Sequence, residues 1–273
     1  MPFTLSHAAV VLPFSRPLAR WRLLSAALVG SMIPDSRYFL PWRTQHFETH
    51  SAASLITYSL PAGLLVYWLF QYLVKVPMIE MLPDGAYARW APYESPASIR
   101  VLRQWLLAAA GILVGAFTHL VWDAFTHEGS RGVRMLPVSD EPIFDFGRHH
   151  LGIARVLQDL SSLLGLIAVI AMIWYGLRRG GEAPILNRKL PTPERRAWTG
   201  GFLLATLLLF VAFVAVGRWL DASPFGITSM MNDIAIASLR ALAIAIIVLA
   251  VALQVRLRAP GSRPDYLSSG PER

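Results

Sequence analysis

The chain alternates long apolar blocks with short polar stretches. Five blocks, at residues 52–74, 104–125, 156–177, 200–220 and 234–255, each hold about the 20 predominantly apolar residues that a membrane-spanning helix needs. Two shorter apolar stretches precede them: 4–14, which runs to Pro13, and 18–33, which closes at Pro34. Each is too short to span alone, so both are expected as half-depth or interfacial helices, or as helices screened by the others. Pro61 lies inside the first long block and predicts a kink there. The fold class that follows is all-α: a polytopic integral membrane protein with about five transmembrane helices plus short N-terminal half-depth helices.

The polar stretches divide the chain. Residues 75–103 read as a loop with four prolines and charges of both signs, and 128–150 as a second loop. We expect a helical core over 1–177, a basic cytoplasmic loop over 178–198, a pair of transmembrane helices over 199–257 and a disordered tail over 258–273. The opening MPFTLSHAAVVLPF has no basic stretch and no small-residue cleavage site, so it is not read as a cleaved signal peptide.

Composition supports the membrane reading. Of the 273 residues 55% are apolar and only 15% charged, against about 25% charged in a typical soluble domain, and the mean hydropathy is +0.47. The net charge of +8 would suggest nucleic acid in a soluble protein. Here basic loops facing anionic lipid account for it, and no nucleic-acid partner is expected. The absence of cysteine removes disulfides, thiolate ligands and a cysteine nucleophile.

Lys and Arg placement sets an orientation. The 178–198 loop carries Arg178, Arg179, Arg188, Lys189, Arg195 and Arg196, whereas 221–233 carries none. The first is therefore expected in the cytoplasm, together with the C-terminus, and the second outside the inner (cell) membrane. Five arginines within the first 50 residues pull the other way, because this scheme leaves most of them outside.

The histidines are grouped. His46 and His50 precede the first span, and the second ends in Thr118-His119-Leu120-Val121-Trp122-Asp123-Ala124-Phe125-Thr126-His127. Positions four apart on a helix differ by about 40° around the axis, so His119, Asp123 and His127 share one slowly turning stripe. An imidazole and a carboxylate so placed can reach one metal ion, and the second carboxylate oxygen can bridge to another. His50, the His119–His127 stripe and Asp159 all fall at one end of the spans and meet at one membrane face whichever way the chain is inserted. A carboxylate near the membrane needs a partner, which favours metal over a chance grouping. His7, in a short apolar helix, and Asp35, just after Pro34, are further candidates that a buried hydrogen bond and a turn would explain equally well.

The segments MPFTLSHAAVVLP, GSMIPD, Thr49-His50-Ser51 and GAFTHLVWDAFTH, at 115–127, together resemble the family called domain of unknown function 4184. The motif order is similar to that of membrane-bound metal-dependent hydrolases and, more remotely, to the zinc-dependent phospholipase C and single-strand nuclease group. The likeness covers residues 1–127. It implies His7, Asp35, His50, His119 and Asp123 as metal ligands, Asp123 as the bridge, and His127 as a further ligand or a group hydrogen-bonded behind them. The soluble phospholipases carry a tryptophan at their mature N-terminus where this chain has Met1-Pro2, and they use further His and Glu ligands downstream, where this chain offers only Asp159 and the adjacent His149 and His150, which read rather as a loop pair. One or two divalent transition-metal ions, zinc foremost, are therefore expected rather than three.

The leading functional expectation is a membrane-embedded, metal-dependent hydrolase of a phosphoester or lipid-like substrate at the membrane surface, with Asp123 and His127 as the catalytic proton-handling groups. The alternatives are a non-catalytic intramembrane metal-binding protein, as in a transporter or sensor, and a His/Asp network that orders helices without metal. No Walker-type phosphate loop and no G-x-S-x-G elbow is present.

Overall fold

Each long apolar block becomes a helix. In the computed structural model the described residues are 4–20, 23–39, 49–96, 101–127, 130–135, 142–146, 149–179, 188–220 and 227–259. Among the described residues five helices are long and apolar enough to cross a membrane: Leu55–Glu80, Leu102–Thr126, Ile153–Arg178, Thr192–Gly217 and Asp233–Arg258. This is consistent with an integral membrane protein. The most apolar stretch of Thr192–Gly217 is 0% buried within the chain, and Leu203, Leu204, Leu207 and Leu208 point outward from it. An aqueous protein cannot leave a continuous apolar face of that length uncovered; a bilayer covers it.

The chain divides into two compact units, Met1–Tyr67 with Ser98–Trp174, and Trp68–Ala97 with Tyr175–Arg273. The first is built on the contact of the short Leu24–Met32 helix with Leu102–Thr126. Small residues bring the two backbones together. A Cβ on Gly30 would lie 2.2 Å from the Ile112 carbonyl oxygen, and one on Gly115 would lie 2.0 Å from that of Ala27. Ala26, Ala27, Ala108, Ile112 and Ala116 fill the rest of the seam and are buried. The N-terminal turn Thr4–His7 is tied to the Ile153–Arg178 helix, where Ser6 Oγ donates to the Ser162 carbonyl at 2.6 Å.

In the second unit the long helices Thr192–Leu220 and Ile227–Arg258 pair with one another. Leu190, Leu249, Leu253 and Leu257 form its core, against Val76, Met78, Trp198 and Phe202.

The first span departs from expectation instructively. The block expected to end at 74 continues to Glu80, through Pro77. Proline removes one helical hydrogen bond, and its ring crowds the carbonyl four residues back. Those carbonyls belong to Thr57, for Pro61, and Leu73, for Pro77. Each lies in a widened π-helical turn, Leu55–Ser59 and Phe70–Val74. The wider turn makes room for the ring, so the helix passes both prolines. The Gln254 amide then donates to the Tyr72 carbonyl at 3.3 Å and to that of Leu73 at 3.4 Å.

The loops are also more ordered than expected. The 75–103 stretch holds a helix at Asp84–Trp90, and 128–150 holds the turn Arg131–Arg134 and most of a short antiparallel pairing of Pro142–Phe146 with His149–Gly152. The helix after the basic loop starts at Thr192 rather than 200. His46 and residues 260–273 of the expected tail lie outside the described residues.

Candidate metal centre

Gly111, Gly115, His119 and Asp123 follow one another at intervals of four on the Leu102–Thr126 helix and so share a face. The two glycines hold that face against Leu24–Met32. One turn further on, the same face presents His119 and then Asp123. Asp35 sits in the first turn of the 3-10 helix Pro34–Phe39, directly after the short helix ends. His7 closes the Thr4–His7 turn, and His50 lies just before the first span.

These five side chains meet. His119 Nε2 is 3.3 Å from Asp123 Oδ2, 3.8 Å from Asp35 Oδ1 and 3.3 Å from His50 Nε2. His50 Nε2 is 3.4 Å from both Asp35 Oδ1 and Asp123 Oδ2. His7 Nε2 is 3.5 Å from Asp123 Oδ1 and 4.0 Å from Asp35 Oδ2. His127 Nδ1 lies 3.5 Å from Asp123 Oδ1. Two triplets, His7–His119–Asp123 and Asp35–His50–His119, each offer ligand atoms within 4.8 Å of one another.

The surroundings fix which atoms face inward. His119 Nδ1 is 2.7 Å from the Ser31 carbonyl oxygen, which can only accept. The proton is therefore on Nδ1, and the Nε2 lone pair faces the other ligands. His50 Nδ1 is likewise engaged at 2.7 Å by Thr49 Oγ1, and Thr4 Oγ1 donates to Asp35 Oδ2 at 3.0 Å. His7 is different. It is wholly buried and stacked on His119 with ring centroids 3.7 Å apart, and neither of its nitrogens has a hydrogen-bond partner. Asp123 Oδ1 is also buried without a hydrogen-bond partner. Buried polar atoms in native proteins are nearly always satisfied, so these orphans call for a ligand.

Charge is balanced unevenly. Burial pushes the His7 imidazole down to about 4, which leaves it neutral and able to ligate at pH 7. Burial alone would raise the Asp35 carboxyl, but the His50 hydrogen bond and the facing His119 and His7 outweigh it and hold it below the ordinary range. His50 shows the converse: burial would lower it, and Asp123 and Asp35 hold it up.

A family model described as Domain of unknown function (DUF4184) matches residues 1–251. The chain belongs to this family. No curated protein and no solved structure matches it.

In this DUF4184 protein the structure brings together five of the residues singled out in the sequence, His7, Asp35, His50, His119 and Asp123. It sets His127 at their edge, with 29% of its side chain exposed. Asp159 pairs instead with Arg155 at 3.1 Å, on a side chain 57% exposed. His149 and His150 lie on the short strand His149–Gly152. No local pattern points to Thr4 or to the Ser31 carbonyl, whose partners are 31 and 88 residues away. Thr49 was visible as a neighbour of His50 but unassigned. Trp122, whose buried indole nitrogen has no hydrogen-bond partner, packs edge-on to His7 with ring centroids 5.7 Å apart.

Proposed function

We propose that the protein is a membrane-embedded metal-dependent hydrolase acting on a phosphoester or lipid-like substrate at the membrane surface. The observation that carries the metal is His7, a neutral imidazole with both nitrogens unpartnered and a second buried orphan, Asp123 Oδ1, at 3.5 Å from one of them. A network that only ordered helices would join donors to acceptors. This one gathers imidazole nitrogens and carboxylate oxygens around the unpartnered His7 and Asp123 Oδ1, and nitrogen and oxygen donors of this kind bind zinc. His7, Asp35, His50, His119 and Asp123 would hold the ion, with Ser31 and Thr49 orienting the imidazoles from behind.

When bound, such an ion supplies Lewis-acid polarisation of the ester and acidifies water. The chain's own groups supply the rest. Asp123 anchors the centre and keeps one oxygen turned toward His127. His127, the most exposed of the six, is placed to take a proton and pass it to solvent. The buried side chains around His7 keep bulk water from the inner ligands. The ligands cluster at helix ends and turns rather than along a path through the bilayer, which favours a surface hydrolase over a transporter.

The orientation proposed from the basic loop puts the site on the outer face of the cell membrane and the C-terminus in the cytoplasm. Because the chain has no cysteine, a single introduced one reports sidedness without background. Met135→Cys is expected to react with an impermeant thiol reagent from outside, and Arg196→Cys only after lysis; the reverse pattern overturns the orientation.

The test of function is metal content, together with hydrolysis of bis(p-nitrophenyl) phosphate and of a phosphodiester lipid in micelles, for the full chain in detergent beside Asp123→Ala. Bound transition metal and metal-dependent turnover, both lost in the variant, are expected. A folded chain that takes up no zinc or manganese overturns the metal; one that binds metal and cleaves neither ester overturns the hydrolase.

A further inference from the structure

A bound ion takes up lone pairs and leaves donors unmatched. It can satisfy His7 and Asp123 Oδ1, but it cannot satisfy an N–H. Trp122 is such a donor. Its indole N–H is buried without an acceptor, on a ring packed edge-on to His7 with centroids 5.7 Å apart. Buried donors are nearly always paired, so this one calls for an oxygen that the chain itself does not supply.

A second donor stands beside Asp35. The 3-10 helix Pro34–Phe39 has about three residues per turn, so Tyr38 stands over Asp35, while Arg37 leaves the axis about 120° away from both. Burial and the charges of Asp35 and Asp123 push the Tyr38 phenol up, which marks the ring as a neighbour of the cluster. Arg37 folds back onto that ring. Its Nη2 donates to the Tyr38 hydroxyl at 3.1 Å, and its guanidinium carbon lies 4.7 Å from the ring centroid. Among the described residues no carboxylate pairs with it. A guanidinium carries five N–H donors in a rigid fork, so one bond to Tyr38 leaves others for a second acceptor. Arg37 is half-buried and one of the five early arginines that run against the orientation set by the basic loop.

We infer that Arg37 and Trp122 are the anion-holding groups of the centre: Arg37, steadied by Tyr38, takes charged phosphoryl oxygens of the substrate, and Trp122 donates to an oxygen beside His7. This rests on the hydrolase reading and narrows it to an anionic phosphoester, since a neutral ester gains little from an unpaired guanidinium. The fork matches two phosphoryl oxygens at once. Held by ring and hydroxyl, the side chain gives up little freedom on binding. The phosphoryl group can belong to a lipid headgroup or to a soluble ester, because Arg37 and Trp122 read only its oxygens.

The experiment is equilibrium dialysis of radiolabelled inorganic phosphate against the full chain in detergent with zinc present. Zinc content and hydrolysis of bis(p-nitrophenyl) phosphate and of a micellar phosphodiester lipid are measured on the same samples. Arg37→Gln is expected to weaken phosphate binding about tenfold and to raise KM for both esters about tenfold, with kcat within about threefold and zinc per chain unchanged. Arg37→Lys keeps the charge without the fork and should recover only part of that loss. Trp122→Phe keeps a ring against His7 and removes the N–H, and a loss of about fivefold in phosphate affinity is expected. Wild-type phosphate affinity in both Arg37→Gln and Trp122→Phe overturns the anion-holding role and leaves the hydrolase reading standing. Loss of zinc from Arg37→Gln also overturns it, by making Arg37 a support for the ligands. Phosphate held through Arg37 by a chain that cleaves neither ester supports the anion site and overturns the hydrolase. A wild-type chain that takes up neither zinc nor phosphate overturns both. The wild-type kcat/KM on the micellar lipid, set against that on the soluble diester, separates the two sources of the phosphoryl group.

Discussion

Each unit holds a buried polar cluster, and the two are built on opposite chemistry. In the second unit Arg188 is the centre. It donates to Asp84 Oδ1 and to the Glu80 carbonyl at 2.6 Å each, reaches the Leu82 carbonyl as well, and lies 4.4 Å over the Tyr87 ring. The Glu80 carboxylate in turn accepts the backbone N–H groups of Lys189 and Leu190 at 3.3 Å. Positive meets negative and, the buried Arg188 Nε excepted, donor meets acceptor, so the cluster fastens the 188–190 segment to the turn after the first span. In the first unit three imidazoles and two carboxylates face one another, and His7 and Asp123 Oδ1 are left without a hydrogen-bond partner. Both clusters set basic side chains among carboxylates, although Asp84 is 53% exposed where Asp35 and Asp123 are buried. What separates a fastening from a binding site is whether the facing atoms complement one another.

The sharpest way to break this contrast is Asp123→Ala. It removes the carboxylate that faces His7, His50, His119 and His127, and both bound metal and at least about 10³-fold of phosphodiesterase activity are expected to go. Arg188→Ala is the reciprocal change. Metal stoichiometry should stay constant while stability falls by about 2 kcal/mol, because the Glu80 and Leu82 carbonyls lose their donor and Asp84 its partner. A denaturation midpoint measured beside metal content checks both; an Arg188 variant that lost its metal would erase the distinction. Gly115→Val tests whether the seam positions the ligands: the added carbons collide with the Ala27 backbone, and metal affinity is expected to fall more than tenfold, read by chelator competition. Thr49→Val removes the hydroxyl behind His50, and a loss of about 10-fold in affinity is expected, read by chelator competition.

The smallest effect belongs to the second cluster. Burial and the nearby Glu80 push the Glu94 carboxyl up from an ordinary value of 4.5. A raised carboxyl holds its proton more tightly folded than unfolded. Its contribution therefore favours folding below about pH 4.5 and is lost as the pH rises through the folded value. Glu94→Gln is neutral throughout and should flatten this dependence, raising Tm by about 2 °C at pH 7 and leaving it unchanged at pH 4.

Much of this was legible beforehand. The spans were readable because twenty apolar residues in a row admit few alternatives, and the core of the site because His119-x3-Asp123 fixes two ligands on one helical face. The continuation of the first span past Pro77 was not readable: a local rule ends a helix at proline, and only the π-turn before it relaxes that rule. The hydrogen bonds from Thr4 and to Ser31 cross 31 and 88 residues, and no local pattern encodes them. Nor could Arg188 be told from its neighbours. In sequence it is one basic residue among six, and burial alone sets it apart. The glycine spacing was present throughout, since Gly111 and Gly115 stand one and two steps of four before His119, but its meaning depends on the short helix that it meets.

That His7, Asp35 and His50 all lie in the first fifty residues bears on how the protein is made. His119 follows His50 by 69 positions, a wait of about 3–14 s at ordinary rates of synthesis. During that interval the Leu24–Met32 helix, too short to cross a bilayer, has no partner to hold it at depth. The nascent chain therefore emerges with half a site, and the Leu102–Thr126 helix supplies both the surface that seats the short helix and the ligands that complete the centre. On the metal reading, uptake therefore waits for the second of the five spans, and a chain stalled before residue 119 lacks two of the five candidate ligands.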